Sequence, residues 1–310
     1  MLNRRELMIG AAASALAPSA AFAEDWRTKY PEVVIAVVPA ENATGVLERW
    51  APFIDYFGKE LGVKVTLRVA NDYAAVIEGQ RAGNIQIGYY GPASFARARI
   101  IGVKTDAFAI EVNSDGTKGY YSVFYVLAKS PYEKIEDLKG KAMAFVDPNS
   151  TSGNSMPRFV LDGLGIDPET FFSKTVYAGS HENAVLALAQ GTVDVCANWW
   201  NAPDDSNLTR MLNKGMLKNA DGSPMKKEDF RIILTSPVII NSPMAYLSDL
   251  PEDMKKAIRD ATFAAPTKAK DAFAKLSDGK DRPWEPVTNA DYDQTIKLVR
   301  FVDALRKKKS

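Results

Sequence analysis

Val33-Val34-Ile35-Ala36-Val37-Val38 is an unbroken apolar run closed by Pro39. A run this short and this rich in β-branched side chains reads as a buried strand, and the proline ends it. Asn42 to Leu61 follows, with Val46, Leu47, Trp50, Phe53, Ile54 and Phe57 at helical spacing and Gly62 placed as a C-cap. Val63 to Val69 is a second strand, Tyr73 to Arg81 a helix, Ile85 to Tyr89 a third strand, and Pro92 to Ile101 a helix that begins on proline. The uninterrupted β-α-β-α-β-α order predicts an α/β fold with a largely parallel sheet.

Beyond it the register changes. Tyr120 to Ala128 is an apolar, aromatic run, and after Ser130-Pro131 a second α/β set begins. Its strands are Ala142 to Val146, Thr175 to Ala178, Val193 to Ala197 and Arg231 to Leu234, and its helices Ser152 to Leu164 and Glu182 to Gln190. An apolar stretch after Ser236-Pro237 runs to Tyr246, followed by helices from Pro251 to about Ala265 and near Ala290 to Leu305. Two α/β blocks joined near 125 and 236 predict two lobes, residues 24–125 with 236–310 and residues 126–235. Ligands in open α/β sheets sit beyond the carboxyl ends of the strands, so facing lobes would enclose a cleft there. The other reading of the pattern is one continuous α/β enzyme domain.

The 310 residues carry 39 Lys and Arg against 38 Asp and Glu, so no excess positive charge points to nucleic acid. One His and one Cys cannot build a zinc cluster, and no oxygen-ligand calcium loop is present, so neither a metal nor a cofactor is expected. Residues 1–23 read as an export signal: Arg4 and Arg5 are the charged start, Leu7 to Ala17 the apolar segment, Ala21-Phe22-Ala23 the cleavage site. The adjacent arginines have the twin-arginine form. The expected location is the periplasm and the expected state a monomer, with Cys196 buried and inert.

Asp147-Pro148-Asn149-Ser150-Thr151-Ser152-Gly153 lies between a predicted strand and a predicted helix. Hydroxyls there stand beside free backbone N–H groups and the positive end of a helix dipole, an arrangement suited to a tetrahedral oxyanion. A plain N-cap needs one hydroxyl and contributes about 1 kcal/mol; this loop offers Ser150, Thr151 and Ser152 in a row. Without the Gly-Lys of a nucleotide P-loop, ATP is not the expected ligand. The sole histidine, His181, opens a helix after a strand in the same block, where it either packs structurally or reaches the same anion. Tyr73 and Tyr90 stand at strand-to-helix turns of the first block, as core aromatics or as phenol donors across the cleft.

In their order these segments resemble the periplasmic phosphonate-binding proteins of ABC importers, a family that includes phosphite binders. Asn71-Asp72-Tyr73-Ala74, Gly88-Tyr89-Tyr90-Gly91, Gly119-Tyr120-Tyr121-Ser122, Asp147 to Gly153, Ala178 to Ala184, Val193-Asp194-Val195 and Ser236-Pro237 carry the resemblance. It implies a type II periplasmic binding fold that closes on its ligand, a membrane permease as partner, and oxygens of the ligand held by Tyr73, Tyr90, Ser150, Thr151, Ser152 and His181. Family members selective for 2-aminoethylphosphonate set two carboxylates beside the ammonium; here those positions are Asn201 and Ser242, with Asp204 and Asp205 close by. Trp199 and Trp200 are expected to wall the pocket on the side of the phosphorus substituent, and uncharged donors to suffice without Arg or Lys.

Three functions are therefore weighed. The first is a receptor that captures a small organophosphonate for import. The second binds phosphite or another tetrahedral oxyanion on the same fold. The third is a secreted hydrolase with Ser150 or Ser152 as nucleophile, against which stands the lack of a G-x-S-x-G elbow and of the S-x-x-K set.

Overall fold

A computed structural model describes residues 25–307; the export signal at 1–23 lies outside them. In chain order the strands are β1 (Glu32–Val37), β2 (Lys64–Val69), β3 (Ile87–Tyr89), β4 (Thr105–Asn113), β5 (Gly119–Leu127), β6 (Ala142–Phe145) and β7 (Lys174–Tyr177). They continue as β8 (Val195–Ala202), β9 (Asp205–Ser206), β10 (Phe230–Thr235), β11 (Ile239–Ile240), β12 (Pro243–Leu247) and β13 (Asp281–Pro286).

They form two sheets. The first has the order β13-β4-β12-β3-β1-β2 and the second β10-β5-β8-β6-β7, with β11 against β5 and β9 against β8. Neither is largely parallel as the alternating pattern predicts. In the first, β1 is parallel to β2 and β3, but β12 lies antiparallel between β3 and β4, and β13 antiparallel on β4. In the second, β5 is antiparallel to both β10 and β8, whereas β6 is parallel to β8 and β7. The reason is long-range: strands from residues 243–286 fill an edge that helix-linked strands near the start leave open, and no local pattern reveals that.

The chain leaves the first sheet after Asn113 and enters the second at Gly119, then returns between Ile240 and Pro243. Positions 125 and 236, where the sequence places the crossings, belong respectively to β5 and to the residue just after β10.

Local rules account for the elements that frame the cleft. The helix Ala43–Leu61 is capped by Asn42, whose side chain accepts from Gly45 N, and ends on Gly62 at φ 69°, a left-handed turn that favours glycine. It buries Val46, Trp50, Phe53, Phe57 and Leu61 on one face; each is worth about 1.5–3 kcal/mol when removed from water. Among the described residues no helix is long and apolar enough to cross a membrane.

Candidate functional site

The parallel strands β1 and β3 of the first sheet and β6 and β7 of the second end around a single cavity of about 170 Å³, lined at those ends by Val37, Val38, Tyr89, Ser150 and His181. Eight of the residues singled out in the sequence line it: Tyr73, Tyr90, Ser150, Thr151, Ser152, His181, Trp199 and Asn201.

At one end is the hydroxyl turn. The Ser150 side chain caps it, accepting the Gly153 N–H at 3.1 Å, and the Ser155 N–H reaches back five residues to the Ser150 carbonyl at 3.0 Å. This wide turn precedes the regular helix, which begins at Met156 rather than at Ser152. Gly153 is required by packing: a Cβ there would stand 2.3 Å from Val146 Cβ. The group that approaches this glycine closely is thus the end of β6, not a ligand. Ser150, Thr151 and Ser152 are 1–2% exposed.

The turn is also where the halves of the molecule meet. Thr151 Oγ1 accepts the Ala93 N–H at 2.8 Å, at the start of the helix Pro92–Ile100. The Tyr73 phenol faces the Ser150 side chain, and burial pushes its pKa up. Tyr120, on β5, faces the Thr151 and Ser152 side chains, and burial pushes its pKa up to about 12. Tyr90 differs from expectation. Its ring borders the cavity, but its hydroxyl turns away and donates to Gln80 Oε1 at 2.9 Å. Tyr120, overlooked as part of an apolar strand, supplies the second phenol; its place in Gly119-Tyr120-Tyr121-Ser122 is the signal that marks it.

His181 begins the helix His181–Ala189, capped by the Ser180 side chain. Its Nε2 is 3.4 Å from Ser150 Oγ and its Nδ1 3.1 Å from Asn198 Oδ1. Its N–H donates to the Ala40 carbonyl at 3.0 Å, a second contact between the halves. Burial lowers the imidazole pKa from 6.5 to about 4.

Another part of the cavity wall is ionic, which the near-neutral composition does not reveal. Glu41 accepts from Arg49 at 2.8 and 3.0 Å, from Arg210 at 3.1 Å and from Lys214 at 3.4 Å. Burial alone would raise its pKa, but the Arg210 and Arg49 charges outweigh that and hold it at about 2 rather than 4.5. Asp205 lines this end while Asp204 does not: Asp204 is exposed and pairs with Lys280 at 2.8 Å. Glu111, hydrogen-bonded to the Tyr89 hydroxyl, is raised above the usual carboxylate range by burial. The Arg210 guanidinium lies 4.8 Å over the Trp199 ring, whereas Trp200 packs on Tyr121 away from the lining.

Asn201 belongs to an amide network at the crossings, donating to Asp205 Oδ2 at 2.9 Å and to Asn113 Oδ1 at 3.2 Å, while Asn241 donates to Asn113 Oδ1 at 3.0 Å. Ser242 also lines the cavity. Cys196 is buried and its thiol pKa is raised by burial. Among the described residues no group of His, Cys, Asp and Glu is arranged to hold a metal.

The phosphonates-binding periplasmic protein of Escherichia coli is 33% identical over 228 residues, 72% of this chain and 63% of that protein, so the match spans less than two thirds of its length. The phosphate-import protein PhnD of Mycolicibacterium smegmatis is 31% identical over 286 residues, covering 85% of this chain and 84% of its own. PhnD1 from Prochlorococcus marinus, solved in complex with methylphosphonate, superposes with a TM-score of 0.72 at 19% identity, over 88% of this chain and 98% of its own, and shares the type II periplasmic binding fold. Residues 35–292 match the family described as ABC transporter, phosphonate, periplasmic substrate-binding protein, and the chain belongs to that family.

Proposed function

We propose that the protein captures a small organophosphonate between two lobes hinged at 114–118 and 241–242, and delivers it unchanged to the permease of an ABC importer from the periplasm. The observation that carries this reading is the hydroxyl turn at a closed junction. Ser150, Thr151 and Ser152 meet Tyr73, Tyr120 and His181 around one buried space. A phosphonate entering it loses most of its hydration, so every oxygen needs a donor. Hydrogen bonds to a charged group contribute about 1.5–3 kcal/mol each. Four to six offset desolvation and leave about 8 kcal/mol, a micromolar dissociation constant. Tyr120 takes the donor role that the resemblance assigns to Tyr90. Trp199 and the ionic end lie where the substituent on phosphorus would project.

A second reading is a binder of phosphite or inorganic phosphate, and for phosphate it draws on the name of the Mycolicibacterium relative. The cavity extends well beyond the hydroxyl turn, which favours a ligand with a substituent. Hydrolysis by Ser150 would use His181 as base, but a ring with a pKa of about 4 is a poor proton acceptor at neutral pH for a hydroxyl. Calorimetry with methylphosphonate, 2-aminoethylphosphonate, phosphite, phosphate and sulfate is the test. A phosphonate should bind at micromolar concentration or below; phosphate or phosphite binding more tightly than every phosphonate would establish the second reading.

A further inference from the structure

The Asn198 amide is held at both ends by main-chain groups. Its Oδ1 accepts the Trp199 N–H at 3.0 Å and its Nδ2 donates to the His181 carbonyl at 2.9 Å. That fixes which end faces the imidazole: Oδ1, 3.1 Å from Nδ1. An amide oxygen only accepts, so Nδ1 carries the ring proton and Nε2 of the neutral ring presents a lone pair. Nε2 is the nitrogen beside the Ser150 hydroxyl, and both residues line the cavity.

No charged group facing the ring reverses this. The segment after β1 brings Glu41, which favours protonation but is itself spent on Arg49, Arg210 and Lys214. The helix Tyr73–Arg81 brings the Tyr73 phenol, the end of β6 Asp147, β5 the Tyr125 phenol and β8 the Cys196 thiol; burial raises all four toward their neutral forms. The helix Asn207–Asn213 brings Arg210, already paired with Glu41. On the ring's own helix, Glu182 is turned to Asn42, accepting at 2.7 and 2.9 Å.

We infer that His181 is a specificity-determining hydrogen-bond acceptor: the bound oxyacid must bring a P–O–H to Nε2, so the site selects singly protonated phosphorus oxyacids over fully ionised sulfonates. This rests on the proposed function and deepens it. One proton lies between Nε2 and a ligand oxygen, and the other oxygens are met by the hydroxyl turn and the phenols. A phosphonate retains that proton up to its second ionisation, which for the related phosphate esters lies at about 6. A sulfonate has none to give, and an acceptor facing an anionic oxygen is repulsive and unsatisfied.

The test is calorimetry of the untagged protein at pH 5.5 to 9 with methylphosphonate and methanesulfonate, which share shape and differ in that proton. Methylphosphonate should bind at least about tenfold more tightly at pH 6, and its affinity should fall about tenfold per pH unit above its second ionisation. In His181→Gln, whose amide can turn an N–H toward the ligand, the slope should flatten and the preference shrink. Because His181 is the only histidine, its ring nitrogens give unambiguous 15N shifts, and the free protein should show the Nδ1–H tautomer whether or not the variant folds. An Nε2–H tautomer, a flat profile in the wild type, or equal affinity for the two ligands would overturn the inference while leaving phosphonate capture intact. Failure of any phosphonate to bind at any pH would overturn both.

Discussion

The two ends of the cavity solve opposite electrostatic problems. The hydroxyl turn holds no formal charge of its own, and its donors are small side chains fixed by capping and by bonds across the junction. The ionic end packs Glu41 between two guanidiniums and an ammonium, with Asp205 and Glu111 nearby. In the proposed mode an anion would be met at the first by dipoles that need no counter-charge, whereas charges at the second neutralise one another. The comparison teaches that a near-neutral composition hides where charge is concentrated: equal totals are compatible with a buried cluster beside a charge-free one.

Breaking the ionic end should have the larger effect. In Glu41→Ala, Arg49 and Arg210 lose their shared carboxylate while staying largely buried, a change expected to cost about 3–5 kcal/mol in chemical denaturation. The pH profile sharpens the point. Because the folded carboxyl titrates near 2 and its ordinary value is 4.5, the unfolded chain binds the proton first on acidification. The stabilisation is therefore complete above about 4.5 and disappears as pH falls toward 2, and this acid limb should be missing in the variant.

At the hydroxyl turn, Thr151→Ala removes both the proposed ligand donor and the acceptor of the Ala93 N–H. Phosphonate affinity should drop by about 1–3 kcal/mol, and the thermal transition should fall as well because the buried Ala93 N–H loses its acceptor; unaltered affinity would take Thr151 out of the binding site. The smallest effect on binding is expected for Tyr90→Phe. Its hydroxyl serves Gln80, so stability should fall by about 1 kcal/mol while affinity is unchanged. A loss of affinity there equal to that of Tyr120→Phe would restore Tyr90 as a ligand contact.

Legibility in the sequence follows the range of the interactions. Runs such as Val33 to Val38 and the capped helix after Asn42 are written in neighbouring residues, because strand burial and helix capping operate within a few positions. The same holds for Ser150-Thr151-Ser152-Gly153, where a strand end, a cap and a close approach fall in one heptapeptide. The antiparallel strands β12 and β13 were not legible, since their pairing with β4 spans more than a hundred residues. Nor was the ionic end, whose Arg49, Glu41, Asp205 and Arg210 come from separate elements.

By itself the sequence determined the alternation of strands and helices, the hydroxyl turn, and the fact that one imidazole is present to serve it. Only the tertiary structure decided which phenol faces the cavity, where the chain changes sheet, and which nitrogen of His181 carries its proton. Capping and periodicity are properties of adjacent residues, whereas the direction of a hydroxyl or the tautomer of a ring depends on partners such as Gln80 and Asn198, set in place when distant segments pack.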